Sequence, residues 1–200
     1  MPTGVALRDV PEQLFVAAER VLLRDGPNAL TSRAITTEAG VAKGVLHRHF
    51  ADFDAFLVEL VLDRIARIKT QAAALRDSAG TGTVDDNLTD ALTTLFESVA
   101  VAIVSLITAR DELRARLRQA RLTGGVPVLT EATAMLASYL SVERELGRIA
   151  ADADVDSLAL LLIGAGHLLF ADRADTPPEP GAVHQVVTTA LADVVQRRLL

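Results

Sequence analysis

The 200-residue chain has no cysteine, no tryptophan, one tyrosine and two methionines, and its aromatic share is 4%. Without cysteine there is no disulfide, no thiolate nucleophile and no zinc or iron–sulfur centre that depends on sulfur. The scarcity of aromatics removes the stacking platforms that usually hold single-stranded nucleic acid. A basic excess is also missing: 20 Lys and Arg face 26 Asp and Glu, for a net charge of −6. That balance excludes a surface coated for indiscriminate nucleic-acid binding, though not a small local patch. The longest nearly apolar run, Leu158 to Ala171, covers 14 residues and contains His167, against the ~20 needed to cross a bilayer. The opening residues MPTGVALRDVPEQ lack a charged region followed by an unbroken apolar one, so the expectation is a cytoplasmic protein with no membrane partner. No Gly-x-Ser-x-Gly elbow, His-Glu-x-x-His or phosphate loop occurs, and neither an enzyme nor a cofactor is expected. His47 and His49 stand two residues apart and would not face one another on a helix, so no metal site is expected either.

What is present reads as helix. Half of the residues are hydrophobic, and a chain of this mass can bury about 70% of its unfolded surface. Apolar residues recur at three- and four-residue spacing, with no hairpin turn between alternating runs. A first helix opens at Pro11 and carries Leu14, Ala18, Val21 and Leu22 up to Gly26-Pro27. A second follows Thr31, a good N-cap, and runs to Ala39. Gly40 suits the left-handed position after a helix, and a third short helix is expected from Val41 to Phe50. A fourth starts near Asp52 with the stripe Phe53, Phe56, Leu57, Leu60, Val61, Ile65, Ile68 and Leu75, and ends in the Gly/Thr-rich stretch 78–83, a candidate boundary. Leu88 to Leu106 reads as one helix, followed by a basic segment, Arg110 to Arg121, read as a solvated face. Further helices are expected at Val126 to Gly147, Val155 to Ala171 and Ala182 to Leu200, with the proline-rich 172–181 outside any helix interior.

Leu30-Thr-Ser-Arg-Ala-Ile-Thr-Thr-Glu-Ala-Gly-Val-Ala-Lys-Gly-Val-Leu-His-Arg-His-Phe50 follows the helix-turn-helix plan, whose second helix enters the DNA major groove. Together with Ala17-Ala18-Glu19 and Gly26 before it and the acidic, then apolar, helix after it, this stretch closely resembles the TetR family of transcriptional regulators over about residues 11–60. The resemblance implies an all-α fold of about nine helices. A helix-turn-helix DNA-binding domain, 1–52, would be joined by the long fourth helix to a ligand-binding and dimerisation domain, 53–200. It further implies a homodimeric repressor on a palindromic double-stranded DNA operator, released by a small-molecule effector.

On the third helix Val41, Leu46 and Phe50 form a packing face, which leaves Lys43, Gly44, Val45, His47 and Arg48 pointing away. Lys43 and Arg48 can donate to guanine O6 and N7, Gly44 permits close backbone approach, and Val45 can pack on a thymine methyl. Arg33 matches a family position that reaches a base edge. Thr31 and Ser32 match positions that hold phosphate with hydroxyls and helix amides, and His47 and His49 match further phosphate contacts. Two departures stand out. His47 replaces the usual tyrosine, and the fourth helix opens Ala51-Asp-Phe-Asp54 where the family usually offers lysine to the DNA backbone. Over 31–50 three basic residues face one acidic, whereas over 1–60 six face eight, so Asp52 and Asp54 are expected to repel DNA.

By the same resemblance the remaining chain holds the effector pocket and the dimer interface. Candidate pocket residues on the apolar helices are Phe96, Val99, Ile103, Leu106, Met135 and Tyr139, although apolar residues at this spacing are more often plain core than ligand contacts. His167, the ionisable group within an apolar run, reads as a core histidine, a dimer contact or a ligand donor. The lipophilic lining suggests an apolar or acyl-type effector. Leu158, Leu162 and Gly166, with Val187, Leu191 and Val194 on the final helix, are the expected dimer contacts in a four-helix interface. The competing reading is a helical small-molecule carrier whose DNA-binding unit is weakened, motivated by Asp52 and Asp54.

Overall fold

The computed structural model describes residues 10–98, 100–120, 125–171 and 178–195. Among them the regular elements are helices: α1 (Val10–Asp25), α2 (Ser32–Glu38), α3 (Val45–His49), α4 (Phe53–Asp77), α5 (Val84–Glu97), α6 (Ala100–Ala109), α7 (Asp111–Gln119), α8 (Pro127–Glu145), α9 (Val155–Ala171) and α10 (Ala182–Leu191). The all-α class is as the sequence predicts, and four details differ. The stretch from Leu88 to Leu106 is two helices, because Ser98 leaves helical geometry with ψ −175°, and its hydroxyl accepts the Ala100 amide at 3.3 Å to start α6. Helix α3 begins at Val45 rather than Val41, with Gly44 before it offering no capping side chain. The basic segment forms α7. Helix α10 stops at Leu191, where the Val194 carbonyl turns back to accept the Ala150 amide at 2.8 Å and Ile149 bridges Val195. The rest of that expected helix lies outside the described residues.

The chain divides into two compact units, residues 1–62 with 105–121 and residues 63–104 with 122–200. The first unit holds α1–α3, the opening turns of α4, the end of α6 and α7. Its interior is built from Leu14, Ala18 and Leu22 of α1, Leu30, Ile35 of α2, Leu46 of α3 and Phe56, Leu57 and Leu60 of α4, all buried. Phe50 meets Phe56 edge-on at 5.0 Å between ring centroids, and Phe15 lies 5.5 Å from the same ring. Thr31 caps α2 by accepting the Ala34 amide at 3.1 Å, and Gly40, at φ +66°, makes the left-handed turn that other residues adopt only with strain.

In the second unit α9 packs against α8, α5 and α10. The stretch 78–83 is a loop inside this unit, tied down by the fully buried Glu143 of α8. Glu143 Oε1 accepts the Gly80 amide at 3.2 Å and its carboxylate pairs with Arg148 at 3.3 Å, while Arg148 donates to the Gly82 carbonyl at 2.6 Å. Asn87 donates to the Tyr139 hydroxyl at 2.9 Å. Burial, with the Glu143 carboxylate beside it, pushes that phenol above its ordinary range.

Gly166 sets how closely α9 approaches α5: a Cβ there would lie 2.5 Å from Phe96 Cε2. The Phe96 ring is buried and stacked on Phe170 with centroids 5.7 Å apart, so it has little room to yield. Gly166→Ala is therefore expected to destabilise the fold by about 1–3 kcal/mol, the usual cost of overpacking. Chemical denaturation checks this, and an unchanged midpoint would show that the helices part freely at this contact.

Candidate nucleic-acid interface and ligand cleft

In the first unit the helix-turn-helix places its polar residues outward. Arg33, Lys43, Gly44, His47, Arg48 and His49 are exposed, Val45 is half-buried, and Leu46 and Phe50 turn inward as their spacing predicts. Lys43 and Gly44 stand in the turn ahead of α3. Gly44 has φ −81°, a conformation open to any residue, and no atom lies within 4 Å of where its Cβ would be. Neither backbone geometry nor packing within this chain asks for glycine there, whereas a partner approaching the backbone would. Thr31 Oγ1 uses a lone pair on the Ala34 amide and keeps its O–H free to donate outward. The Ser32 hydroxyl is covered by protein and has no hydrogen-bond partner, so it faces inward.

The acidic start of α4 differs from its expected role. Asp52 caps the helix, accepting the Ala55 amide at 2.7 Å. Arg116 of α7 donates through Nη1 to both carboxylate oxygens, at 2.8 and 3.0 Å, and through Nε to Glu112 at 3.2 Å. The Ala55 amide first, and then the Arg116 guanidinium, hold the Asp52 carboxyl below the usual aspartate range. Its charge is thus answered within the chain, and the charge of Asp54 acts on the same guanidinium. Arg110, at the other end of α7, donates to the Leu30 carbonyl at 2.8 Å and lies 5.4 Å above the Phe53 ring. Arg114 donates to the Thr108 carbonyl at 3.1 Å. Of the arginines read as a solvated face, these three are structural; Arg118 is exposed, and Arg121 lies outside the described residues.

The second unit contains an open cleft of about 270 Å³ between the last turns of α4, helix α5 and Met135 of α8. Of the expected pocket residues it contains Met135. Phe96, Ile103 and Tyr139 are interior to this unit and Leu106 to the first, His167 is half-buried with its ring 6.3 Å from Phe96, and Val99 lies outside the described residues. The cleft is instead faced by Gln71, Ala74 and Leu75 on α4, Ser78 just past its end, and Asn87, Asp90, Ala91 and Thr94 on α5. Each set has the spacing of one helix face. Small and polar residues at that spacing are the signal the sequence carries for this cleft.

Among the expected dimer contacts, Leu162, Gly166, Val187 and Leu191 are buried inside the second unit and Leu158 is half-buried. Val194 lies past the end of α10. The outward apolar face of α9 is formed by Leu160 and Leu161, each 63% exposed, Gly164, and Leu168, 74% exposed. Because α9 is apolar on every face, its periodicity could not tell the inner face from the outer. No single helix among the described residues is long and apolar enough to cross a membrane.

The family described as bacterial regulatory proteins, tetR family, matches residues 14–60. No curated protein matches the chain by sequence. Solved structures share the fold over nearly its whole length. The reduced form of NemR from Escherichia coli matches with a TM-score of 0.71 at 14% identity, covering 96% of this chain and 100% of its own. The regulator FadR from Bacillus subtilis, solved with stearoyl-CoA, matches at 0.67 and 16% identity over 90% and 97%. A γ-butyrolactone receptor, an ArpA-like protein, matches at 0.68 and 22% identity over 92% and 87%. At these identities the likeness is one of fold.

The Asp52–Arg116 pair makes a signed prediction. A carboxylate whose folded pKa is depressed stabilises the fold above its ordinary value, about 3.9, and that contribution disappears as pH falls through the folded pKa. Between about pH 5 and pH 2 the wild-type chain should therefore lose more stability than Asp52→Asn, which keeps a cap but not the charge. Denaturant melts across that range measure the difference; equal acid sensitivity would show that the pair contributes nothing in solution.

Proposed function

We propose that this chain, whose residues 14–60 belong to the tetR family of bacterial regulatory proteins, is a homodimeric transcriptional repressor acting in the cytoplasm, which reads a palindromic operator and leaves it when a small effector binds. The observation that carries this reading is the state of the cations in the first unit. Arg20, Arg24, Arg110, Arg114 and Arg116 are each engaged by a carboxylate or a carbonyl. Arg33, Lys43 and Arg48 are exposed and, with Arg118, have no such partner among the described residues. Arg33, Lys43 and Arg48, unpaired among the described residues of a unit in which five other arginines are committed, make the local basic patch that the whole-chain charge conceals.

In this reading Arg33, Lys43 and Arg48 donate to base edges, Gly44 admits the DNA closely and Val45 meets a thymine methyl. The free O–H of Thr31, with His47 and His49, holds phosphate, and the Ser32 hydroxyl joins them by rotating outward. Two copies pair through the outward face of α9, with Leu160, Leu161, Gly164 and Leu168 replacing the inward residues of the sequence-based expectation, so that their recognition elements reach half-sites about 34–36 Å apart. The effector, with an apolar body, occupies the α4–α5 cleft. Helix α4 is continuous from the Asp52 cap to the cleft residues Gln71, Ala74 and Leu75, and it transmits only the difference in the effector's affinity for the two states.

The decisive measurement is fluorescence anisotropy on the DNA upstream of the chain's own gene, beside scrambled DNA, at two salt concentrations. Arg48→Ala and Lys43→Ala are each expected to weaken specific binding by about 1–3 kcal/mol, roughly 5- to 150-fold, while binding to scrambled DNA stays weak. Equal affinity for both DNAs, unaltered by either variant, would move the chain to the carrier reading. Leu161→Glu with Leu168→Glu is expected to halve the sedimenting mass and to abolish operator binding; a dimer that survives both would place the interface elsewhere.

A further inference from the structure

We infer that the α4–α5 cleft selects a small amphiphilic cation, an alkyl- or arylalkyl-ammonium or an amidine, rather than an acyl or other anionic ligand. This inference rests on the reading of that cleft as the effector site. Its basis is a count of what the cleft's polar groups still have to offer. Ser78 Oγ already donates to the Leu75 carbonyl at 2.7 Å, so only its lone pairs remain. The Asn87 amide donates to the Thr81 carbonyl at 3.0 Å, the Ser78 carbonyl at 3.5 Å and the Tyr139 hydroxyl at 2.9 Å. Two carbonyls around that nitrogen fix the amide's orientation, since a flip would set oxygen against oxygen. The remaining capacity of Asn87 is therefore as an acceptor. Asp90, when ionised, is an acceptor only, and it is the charged residue of the lining; no lysine, arginine or histidine joins it. Gln71 and Thr94 can play either part.

A ligand entering this cleft meets acceptors and one negative charge, with donors scarce. Carboxylates, phosphates and thioesters bring acceptors of their own and would face Asp90 with no counter-charge. An ammonium brings three N–H donors and a positive charge and satisfies the acceptor-biased wall. The rest of the lining, Ala74, Leu75, Ala91 and Met135, is apolar and takes a hydrocarbon body. A volume of about 270 Å³ limits that body to a small molecule, slightly below the usual range of about 300–1,000 Å³ for ligand sites. Because Asp90 is exposed, its attraction is screened by salt, so selectivity for the cation should fall as ionic strength rises.

The test uses the purified full chain and three probes of one shape, 4-phenylbutylammonium, 4-phenylbutanol and 4-phenylbutanoate, followed by titration calorimetry. The expected result is one ammonium per chain, bound at least tenfold more tightly than either analogue, with the preference shrinking in high salt. Asp90→Asn is expected to reduce ammonium affinity to that of the alcohol and to leave alcohol binding unaltered, which a folding defect would not do. Equal or tighter binding of the carboxylate, an Asp90→Asn chain that keeps the ammonium preference, or no ammonium binding at millimolar concentration overturns the inference. Operator release is read separately by anisotropy. If the ammonium binds selectively but never releases DNA, the effector reading fails while the cleft's selectivity stands.

Discussion

Everything the first unit presents to a partner depends on how the N-terminus of α4 is held. The first turn of any helix leaves amides without intrahelical partners, and here Asp52 accepts one of them while Arg116 closes over its carboxylate. Two residues earlier in the chain stands Phe50, whose ring packs edge-on against Phe56 of α4. The end of the recognition segment and the start of α4 thus share one set of contacts, and the orientation of α3 follows from them. Arg110 extends the arrangement by holding the Leu30 carbonyl, immediately before the α2 cap, and covering Phe53. Arg110 just before α7 and Arg116 within it, both distant in sequence, therefore brace the entry to α2 and the entry to α4. The lysine that such a helix start would otherwise offer to phosphate is absent, and the position serves an internal ion pair.

Much of this was legible in sequence, for identifiable reasons. Thr31 before an apolar run and Gly40 after it are local signals, and the α2 cap and the left-handed turn appear where they point. The periodicity of Leu46 and Phe50 fixed an inward face for α3, and with it the outward set of cations. Long-range pairings left no such trace. Nothing in the spacing of Arg110 and Arg116 shows that one finds a carbonyl eighty residues away and the other a carboxylate sixty-four residues away, so a clamp read as a solvated face. Where a helix is apolar all round, as α9 is, period alone cannot separate Leu162, inside, from Leu161, outside. The cleft escaped for the opposite reason: apolar residues fill cores, and the cavity is left where small and polar side chains fail to fill the space between helices.

Net charge misleads for a related reason. A total of −6 describes a chain in which acidic residues of the first unit work as partners: Glu38 holds Arg24 at 3.0 Å, Asp52 holds Arg116, and Asp111 holds Arg114. Exposed pairs of this kind add little stability, but they remove both members from the far field. What a long polyanion would meet is the residue of that pairing, and around α2 and α3 the residue is positive.

The proposed transmission of a signal through α4 sets a condition on the ligand's chemistry. Weakening operator affinity a hundredfold needs a coupling of about 2.7 kcal/mol between the two sites, and a ligand supplies it only by binding one arrangement of the helices better than the other. A hydrocarbon body is nearly indifferent to a small sliding of one helix past another, since area buried changes little with register. Hydrogen bonds are sensitive to both distance and angle. The cleft distributes its polar groups over two sides, Gln71 on α4 and Ser78 just past its end against Asn87, Asp90 and Thr94 on α5. A ligand with several donors bridging those two sets gains them all in one register and loses some in another. In the proposed reading the polar end of the effector, rather than its apolar body, is therefore the part able to shift α4 against α5.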